Sequence, residues 1–471
     1  MNGPLDTRPS AESHFVELTP KGLRTVRRWA IAITIGSFLF GFDTGIISGA
    51  LLFIREDFGL SAFQQGSAVS VLLLGAVIGA LGSGRISDRH GRRPLLAGLG
   101  AAFFIGVVAV TFAPAYWLLL LGRFVMGLAV GGVSATVPTY LGEMAPAQIR
   151  GRVLGLNQLL ITVGLLTSYL VNWALADAEL WRVMFGVAAL PSALLFFAAL
   201  WLPESPTWLI ENGQPEKARK VIDKVAEPGG ADRVVERVGR AHRDGRQDSD
   251  SGSGGLRELF HGTALAAFVV AVMLAALQQL AGINTILYYA PTIMSQAGLS
   301  ASNAIYYSIF IGVVNVAVTV LSLYLVDRIG RRPLLLGSLV GMAVTIGLLG
   351  VAFAVSLSPV LMLVFMMLYI VAFGIGLGPV FWVMLGELFP SDQRARGASA
   401  GATVNWLSNF LVSLLFLPLI EAVGQTWTFW LFAGICVLGT VFVAKWAPET
   451  RNRDAEEVGA ELARRWNMSV R

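Results

Sequence analysis

The chain has 471 residues, 55% of them hydrophobic and only 14% charged, with a mean hydropathy of +0.67. A soluble domain carries nearer a quarter charged residues, so this composition excludes one and points to a membrane protein. The net charge of +5 would admit a nucleic-acid partner, but the placement of the charges argues against it, and the single cysteine, Cys436, excludes an intramolecular disulfide.

Residues 1–28 are polar and basic, without the short apolar core and small-residue exit of a cleavable signal, so the first apolar run reads as a retained span. Runs of about twenty apolar residues, enough to cross a bilayer, are predicted at 29–53, 64–84, 95–113, 116–141, 153–174 and 183–202. After a polar connection at 203–260, six more are predicted at 261–294, 303–326, 333–355, 359–387, 397–420 and 426–444, followed by a tail at 445–471. Within the connection, Pro215 to Arg243 has helical charged patterning and Asp248 to Gly255 reads as flexible linker. Of the 35 Lys and Arg, all but Arg55, Arg123 and Arg182 fall in the tails, the connection or the loops on the same side as the tails. Positive charge marks the cytoplasmic side. Both termini are therefore expected in the cytoplasm, with the chain in the inner (plasma) membrane of a cell.

The two halves are copies. Asp88-Arg89-His90-Gly91-Arg92-Arg93-Pro94 recurs as Asp327-Arg328-Ile329-Gly330-Arg331-Arg332-Pro333, and Gly142-Glu143 with Pro146, Arg150 and Arg152 recurs as Gly386-Glu387 with Pro390, Arg394 and Arg396. Pro203-Glu204-Ser205 recurs as Pro448-Glu449-Thr450, and Gly41-Phe42-Asp43-Thr44 as Gly282-Ile283-Asn284-Thr285. The displacement is roughly 240 residues each time, the mark of a duplication. The expected fold is an all-α membrane protein of twelve transmembrane helices. They form two pseudo-symmetric six-helix bundles, 29–202 and 261–444, with a small cytoplasmic helical linker at 203–260. Parallel repeats of this kind hold substrate between the halves.

The turn Gly84 to Arg93 reverses direction in a few residues, which accounts for its glycines. Arg85, Asp88, Arg92, Arg93, Glu143, Arg150, Arg152 and Glu204 alternate in sign. So do their second-half counterparts Asp327, Arg331, Arg332, Glu387, Arg394, Arg396 and Glu449. They are expected to form ion pairs holding the halves together on the cytoplasmic side, or else to anchor loops to headgroups. Exposed pairs are worth only about 0–1 kcal/mol each, which suits a gate that opens.

The seventh run carries Gln278, Gln279, Gly282, Asn284, Tyr288, Tyr289 and Pro291. Neutral amides inside a span are costly unless partnered or facing a wet cavity. Gly282 and Pro291 both weaken the helix, and interrupted spans lining a cavity are where transporters place substrate. Amides and tyrosines without fixed charge suit a polyhydroxylated neutral molecule such as a sugar. Gln158, Asn315, Asn405 and Asn409 are further polar groups in apolar runs. Each alone reads as helix–helix glue, but together they favour one central site fed from both halves. Gly374, Gly376, Gly378 and Pro379 predict a kink before Trp382, an aromatic that either stacks on a sugar face or anchors at an interface. Asp43 and Arg123 are the ionisable residues inside spans. They are either a proton-coupling pair or a fixed structural one, and the copy of Asp43 is the neutral Asn284. The small residues Gly122, Gly127, Gly131 and Gly132 read as close helix packing. No metal-ligand spacing, nucleophile elbow or phosphate-cradling loop occurs in a suitable context.

At Gly84 to Arg93, Arg150-Gly151-Arg152, Pro203-Glu204-Ser205-Pro206, Gln278 to Pro291, Asp327 to Arg332, Gly378 to Trp382 and Pro448-Glu449-Thr450, the chain resembles the sugar porter family of the major facilitator superfamily. The likeness covers residues from about 29 to 450 and is closest to bacterial proton-coupled pentose and hexose symporters and animal glucose facilitators. It implies that Gln158, Gln278, Gln279, Asn284, Asn315 and Trp382 contact the sugar. Asn405 and Trp406 would form a further pair, the Asn-Trp form leaning toward hexose. Tyr288 and Tyr289 would close over the sugar from outside. Asp43 falls where proton-coupled members keep an acid and facilitators have Asn, with Arg123 as its partner. Thr207 departs from the Arg that many members have there.

The expectation is a transporter, not an enzyme, importing a neutral monosaccharide, glucose or a similar hexose, by proton symport with alternating access. It would act as a monomer in a lipid bilayer, with protons and sugar as partners and without cofactor, metal or nucleic acid. Facilitated diffusion through the same fold, and polyol or inositol transport, are alternatives that the residues leave open. A sugar-sensing receptor and a membrane glycosyltransferase have less to support them.

Overall fold

The computed structural model describes residues 18–251 and 262–467. The first half runs α1 (Pro20–Phe58), α2 (Ala62–His90), α3 (Arg92–Thr111), α4 (Tyr116–Met144) and α5 (Ala147–Ala176), then a sixth span split into α6 (Trp181–Gly186) and α7 (Ala189–Trp201). The connection holds α8 (Pro206–Glu211), α9 (Pro215–Ile222) and α10 (Gly230–Ser251). The second half opens with a seventh span split into α11 (Gly262–Leu280) and α12 (Ile283–Gln296), then α13 (Ala301–Ile329) and α14 (Arg331–Ala354). A tenth span split into α15 (Pro359–Ile375) and α16 (Leu377–Glu387) leads to α17 (Ser391–Val423), α18 (Gln425–Trp446) and the short α19 (Ala455–Arg465). The described residues contain 12 helical segments long and apolar enough to cross a membrane. This is the expected multi-pass, nearly all-helical fold.

The helices outrun the apolar runs that announced them. α1 has 39 residues, capped by the Thr19 side chain on the Gly22 N–H with Pro20 in the first turn. At 1.5 Å per residue it is roughly 58 Å long, well beyond a hydrocarbon core, because its polar first turns continue the helix. The connection also needs correction. α10 runs to Ser251, so the first residues of the expected flexible linker, 248–251, are helical, and 252–255 lie outside the described residues.

The start of α1, the end of α18 with α19, and the connection lie at one end of the helix bundle, called here the basic face. The chain entering α1 is fastened to the connection there. Leu18 and Ala226 form an antiparallel bridge, and the Thr19 N–H donates to the Val225 carbonyl at 3.2 Å. α19 returns to the same face, where Trp466 meets Trp446 with ring centroids 6.2 Å apart. Large apolar side chains such as Leu190, Trp201 and Leu438 are exposed around the outside. The main core is one continuous cluster shared by both halves, and a small separate one lies in the connection around Ile222, Ala226 and Ala231.

Candidate functional site

The seventh span breaks at Gly282, as its sequence requires. Gly282 has φ +95°, a conformation that favours glycine, and a Cβ there would stand 2.9 Å from the Phe432 ring. The break leaves carbonyls to satisfy inside the span, and Tyr369 of α15 donates its hydroxyl to Ala281 O at 2.7 Å. Pro291 weakens α12 without ending it: the helix continues through it to Gln296.

Four amides gather at this break. Asn284 Nδ2 donates to Gln279 Oε1 at 2.6 Å, and Gln279 Nε2 donates to Asn405 Oδ1 at 3.1 Å. Asn405 Nδ2 donates to Gln278 Oε1 at 2.6 Å and to Ala275 O at 3.2 Å. Gln278 Nε2 reaches the carbonyls of Gly378 (2.9 Å) and Leu377 (3.3 Å), where the tenth span is itself broken at Gly376. Gln278, Gln279 and Asn405 are buried, Asn284 half-buried. A chain of uncharged donors and acceptors of this kind exchanges hydroxyls for amides without stranding a charge.

The sequence led us to expect amides converging from both halves, but this network belongs to the second half alone. Gln158 of α5 stands apart and exposed, and Asn315 of α13 is half-buried. Trp382, edge-on to Phe381 at 4.8 Å, is 49% exposed. Trp406 is buried and meets Phe40 of the first half at 5.7 Å between ring centroids. Tyr288 lies beside Asn409 Nδ2 at 3.5 Å, and Tyr289 donates its hydroxyl to Ser413 O at 2.6 Å.

Asp43 and Arg123 pair at 2.6 Å with side chains only 2% and 1% exposed. Arg123 is fixed from three sides: Nη1 on Asp43 Oδ1, Nε on Ala68 O at 3.1 Å and Nη2 on Val69 O at 3.4 Å. Phe185 lies 5.8 Å from its guanidinium carbon. α1, which carries Asp43, packs against α12 of the second half.

At the basic face the duplicated motifs build the same cap twice. Glu204 accepts the backbone N–H groups of Arg92 (2.9 Å) and Arg93 (3.2 Å) at the start of α3. Glu449 accepts those of Arg331 (3.0 Å) and Arg332 (3.1 Å) at the start of α14. Each carboxylate thus sits on a helix N-terminus, where the dipole favours it. Gly91 and Gly330 make the preceding turns at φ +98° and +110°. Burial pushes the Glu449 carboxyl up, but N–H groups of Arg451, Arg331, Arg332 and Thr450 outweigh it and hold it below the ordinary carboxylate range. Arg92 pairs with Glu143 at 2.9 Å and Asp88 at 3.3 Å, and Arg331 pairs with Glu387 at 2.9 Å. The side chains of Arg93 and Arg332 bond Leu200 O and Ala444 O. Arg85, Arg150, Arg152 and Arg394 are exposed, Arg396 is half-buried, and the Asp327 side chain falls outside the described residues. The expectation that such pairs hold the halves together is corrected for those named here. Each ties helix ends within one half.

Besides Trp406 on Phe40, further contacts between the halves lie toward the opposite face. Tyr169 of α5 donates its hydroxyl to Leu287 O of α12 at 2.8 Å, and Ser302 donates to Asp177 at 2.7 Å. Trp173 packs on Tyr306 with centroids 5.8 Å apart. Gln158 and Trp382 are exposed, whereas Gln278, Gln279 and Asn405 are buried.

Comparison with known proteins agrees with this architecture. Residues 29–462 match the family model described as sugar (and other) transporter. The chain belongs to the sugar porter family of the major facilitator superfamily. The glucose transporter GlcP of Staphylococcus epidermidis is 41% identical over 436 residues, covering 92% of this chain and 96% of that one. The inward-open structure of the xylose transporter XylE from E. coli superposes with a TM-score of 0.80 at 30% identity, covering 93% of this chain and 99% of that chain. The structure of XylE, there called a proton:xylose symporter, bound to 6-bromo-6-deoxy-D-glucose gives 0.77 at 31% identity, covering 94% and 100%. This sugar porter is accordingly a multi-pass membrane transporter of sugars and not an enzyme.

Sequence reasoning missed several residues that shape the porter's interior. Tyr169 and Tyr369 lie in apolar runs, where only the hydroxyl at the tip of each ring marks a hydrogen-bond donor. Ser338 accepts the Leu377 N–H at 3.0 Å and so caps the broken tenth span from another helix. Nothing in its own apolar segment announces that role. Ser37 donates to Asn157 Oδ1 at 2.6 Å, joining α1 to α5 beside Gln158.

Proposed function

We propose that this protein imports a neutral monosaccharide, glucose or a similar hexose, together with protons, by alternating access. Both termini would lie in the cytoplasm of a cell whose inner membrane it spans as a monomer. The observation that carries the reading is the buried Asp43–Arg123 pair, set where the duplicated half has the amide Asn284. An acid is not required by the repeat, and because α1 packs against α12 of the second half, the surroundings of its carboxylate would change when the halves move. Supporting it, the proton:xylose symporter and the glucose transporter reported above are 31% and 41% identical to this chain.

The moving units are 29–202 and 261–444, joined by 203–260, with tails at 1–28 and 445–471. The basic face is the cytoplasmic one by its excess of Lys and Arg, and an inward-facing conformer fits the superposition on the inward-open XylE structure, with its TM-score of 0.80. Sugar would meet Gln278, Gln279, Asn284 and Asn405 first, with Gln158, Asn315, Trp382 and Trp406 around it. Tyr288 and Tyr289 lie on α12 toward the outside. The carboxylates and arginines of the basic face pair within each half in this conformer and would meet across the cleft in the outward one.

Replacing Asp43 by Asn tests the coupling. The variant in proteoliposomes should lose accumulation of D-glucose against a gradient while keeping counterflow exchange. An Asn variant that still concentrates sugar rules out Asp43 as the coupling residue. Facilitated diffusion is separated by alkalinisation of the medium when sugar is added to energy-depleted cells, which a uniporter does not produce. A competition panel including inositol and other polyols decides the substrate.

A further inference from the structure

Pro291 lies inside α12, and a proline has no N–H to give to the carbonyl four residues earlier. That carbonyl belongs to Leu287. Within a span no water replaces the missing donor, and an unsatisfied carbonyl there is costly. The donor comes from the other half: the Tyr169 hydroxyl of α5 reaches Leu287 O at 2.8 Å, with the Tyr169 ring wholly buried. The ring also lies against α13, where a Cβ on Gly312 would stand 2.9 Å from Tyr169 Cδ2. Tyr169 is therefore inserted between two helices of the second half. It bonds one of them at the point where that helix lacks its own bond.

We propose that Tyr169 is a positioning residue of the transport cycle, supplying across the interface the hydrogen bond that Pro291 denies to Leu287 and so holding α12 closed on the opposite face. α12 carries Asn284, Tyr288 and Tyr289 and packs against α1, which carries Asp43. Opening that face draws α12 away from α5 and uncovers the Leu287 carbonyl. The latch therefore adds its own bond to the free-energy difference between the two conformers, without touching sugar. The inference rests on the alternating-access reading above.

The test is a double-mutant cycle between Tyr169→Phe and Pro291→Ala in the full chain reconstituted in proteoliposomes. Phe keeps the ring and loses the donor. Ala restores a backbone N–H at 291, giving Leu287 a helical partner. In the parent chain, Tyr169→Phe should raise hydrogen–deuterium exchange of α12 peptides about ten-fold, the scale of stranding one buried carbonyl. It should also lower the KM for D-glucose entry several-fold, because the outward conformer gains population. In the Pro291→Ala background the same substitution should change either quantity less than two-fold. Equal effects in both backgrounds overturn the proposal, since Tyr169 would then act through its ring packing alone. So does no effect in either. If Tyr169→Phe fails to reconstitute, Pro291→Ala alone decides: α12 exchange must fall, and unchanged exchange overturns the proposal. A parent chain that exchanges normally yet neither binds nor moves any sugar in the panel defeats the functional reading instead.

Discussion

Replacing Glu449 by Gln should loosen the second half at the basic face by an amount the geometry sets. Its carboxylate accepts four backbone N–H groups, from Arg331 (3.0 Å), Arg332 (3.1 Å), Thr450 (3.0 Å) and Arg451 (2.9 Å). A hydrogen bond to a charged group contributes about 1.5–3 kcal/mol when buried, and half-exposure reduces each to about 1 kcal/mol or less. Glutamine keeps one oxygen and turns an NH2 toward the remaining donors, so the net loss is about 2 kcal/mol. For a half unfolding as a unit this lowers the melting temperature by about 4–8 °C, read by scanning fluorimetry at one fixed heating rate because unfolding of such proteins is irreversible.

The pH dependence of that difference identifies the cause. The Glu449 carboxyl titrates below its ordinary value in the folded protein, against about 4.3 when unfolded. Its contribution is complete above the unfolded value and is lost as pH falls through the folded one. The gap between parent and Gln variant should therefore be full at pH 7 and shrink below about pH 4. A gap under 1 °C at pH 7, or one that persists undiminished in acid, refutes the capping argument.

Two further substitutions probe the interior. Arg123→Met leaves the Asp43 carboxylate buried without its partner, which costs about 3–5 kcal/mol. The double variant with Asp43→Asn should recover most of the lost thermal stability but not uphill accumulation. Equal stability of Arg123→Met and parent would show that the pair is not the anchor its geometry indicates. Gly282→Ala forces an L side chain to φ +95° and drives its Cβ against the Phe432 ring at 2.9 Å. A loss of about 1–2 kcal/mol comes from the backbone alone. Adding Phe432→Leu should restore only the packing part, and complete restoration would show that the backbone conformation is not strained.

How much the sequence foretold follows from the range of each interaction. Spans and duplication were legible because apolar run length and repeated charged turns are local patterns. The ends of α1 and α10 were not, since a helix continues into polar residues wherever its backbone can still bond itself. The break at Gly282 was legible in one glycine and the weak point at Pro291 in one proline, but the remedy for the latter, Tyr169, lies on another helix and was not. Gln278, Gln279 and Asn405 were recognisable as polar groups out of place. Their pairing with one another depends on rotamers and neighbours that periodicity does not carry. The charged motifs at the basic face were legible as partners, but which half each partner occupies depends on the conformer.

The bond from Tyr169 to Leu287 also sets an order for evolutionary change. A lineage that first exchanges Pro291 for a residue with an N–H relieves Leu287, and position 169 is then free to drift. A lineage that first loses the tyrosine meets an unpartnered carbonyl in the interior of the protein before any remedy exists. Related chains should therefore vary at these two positions together, with proline persisting at 291 only alongside a donor at 169.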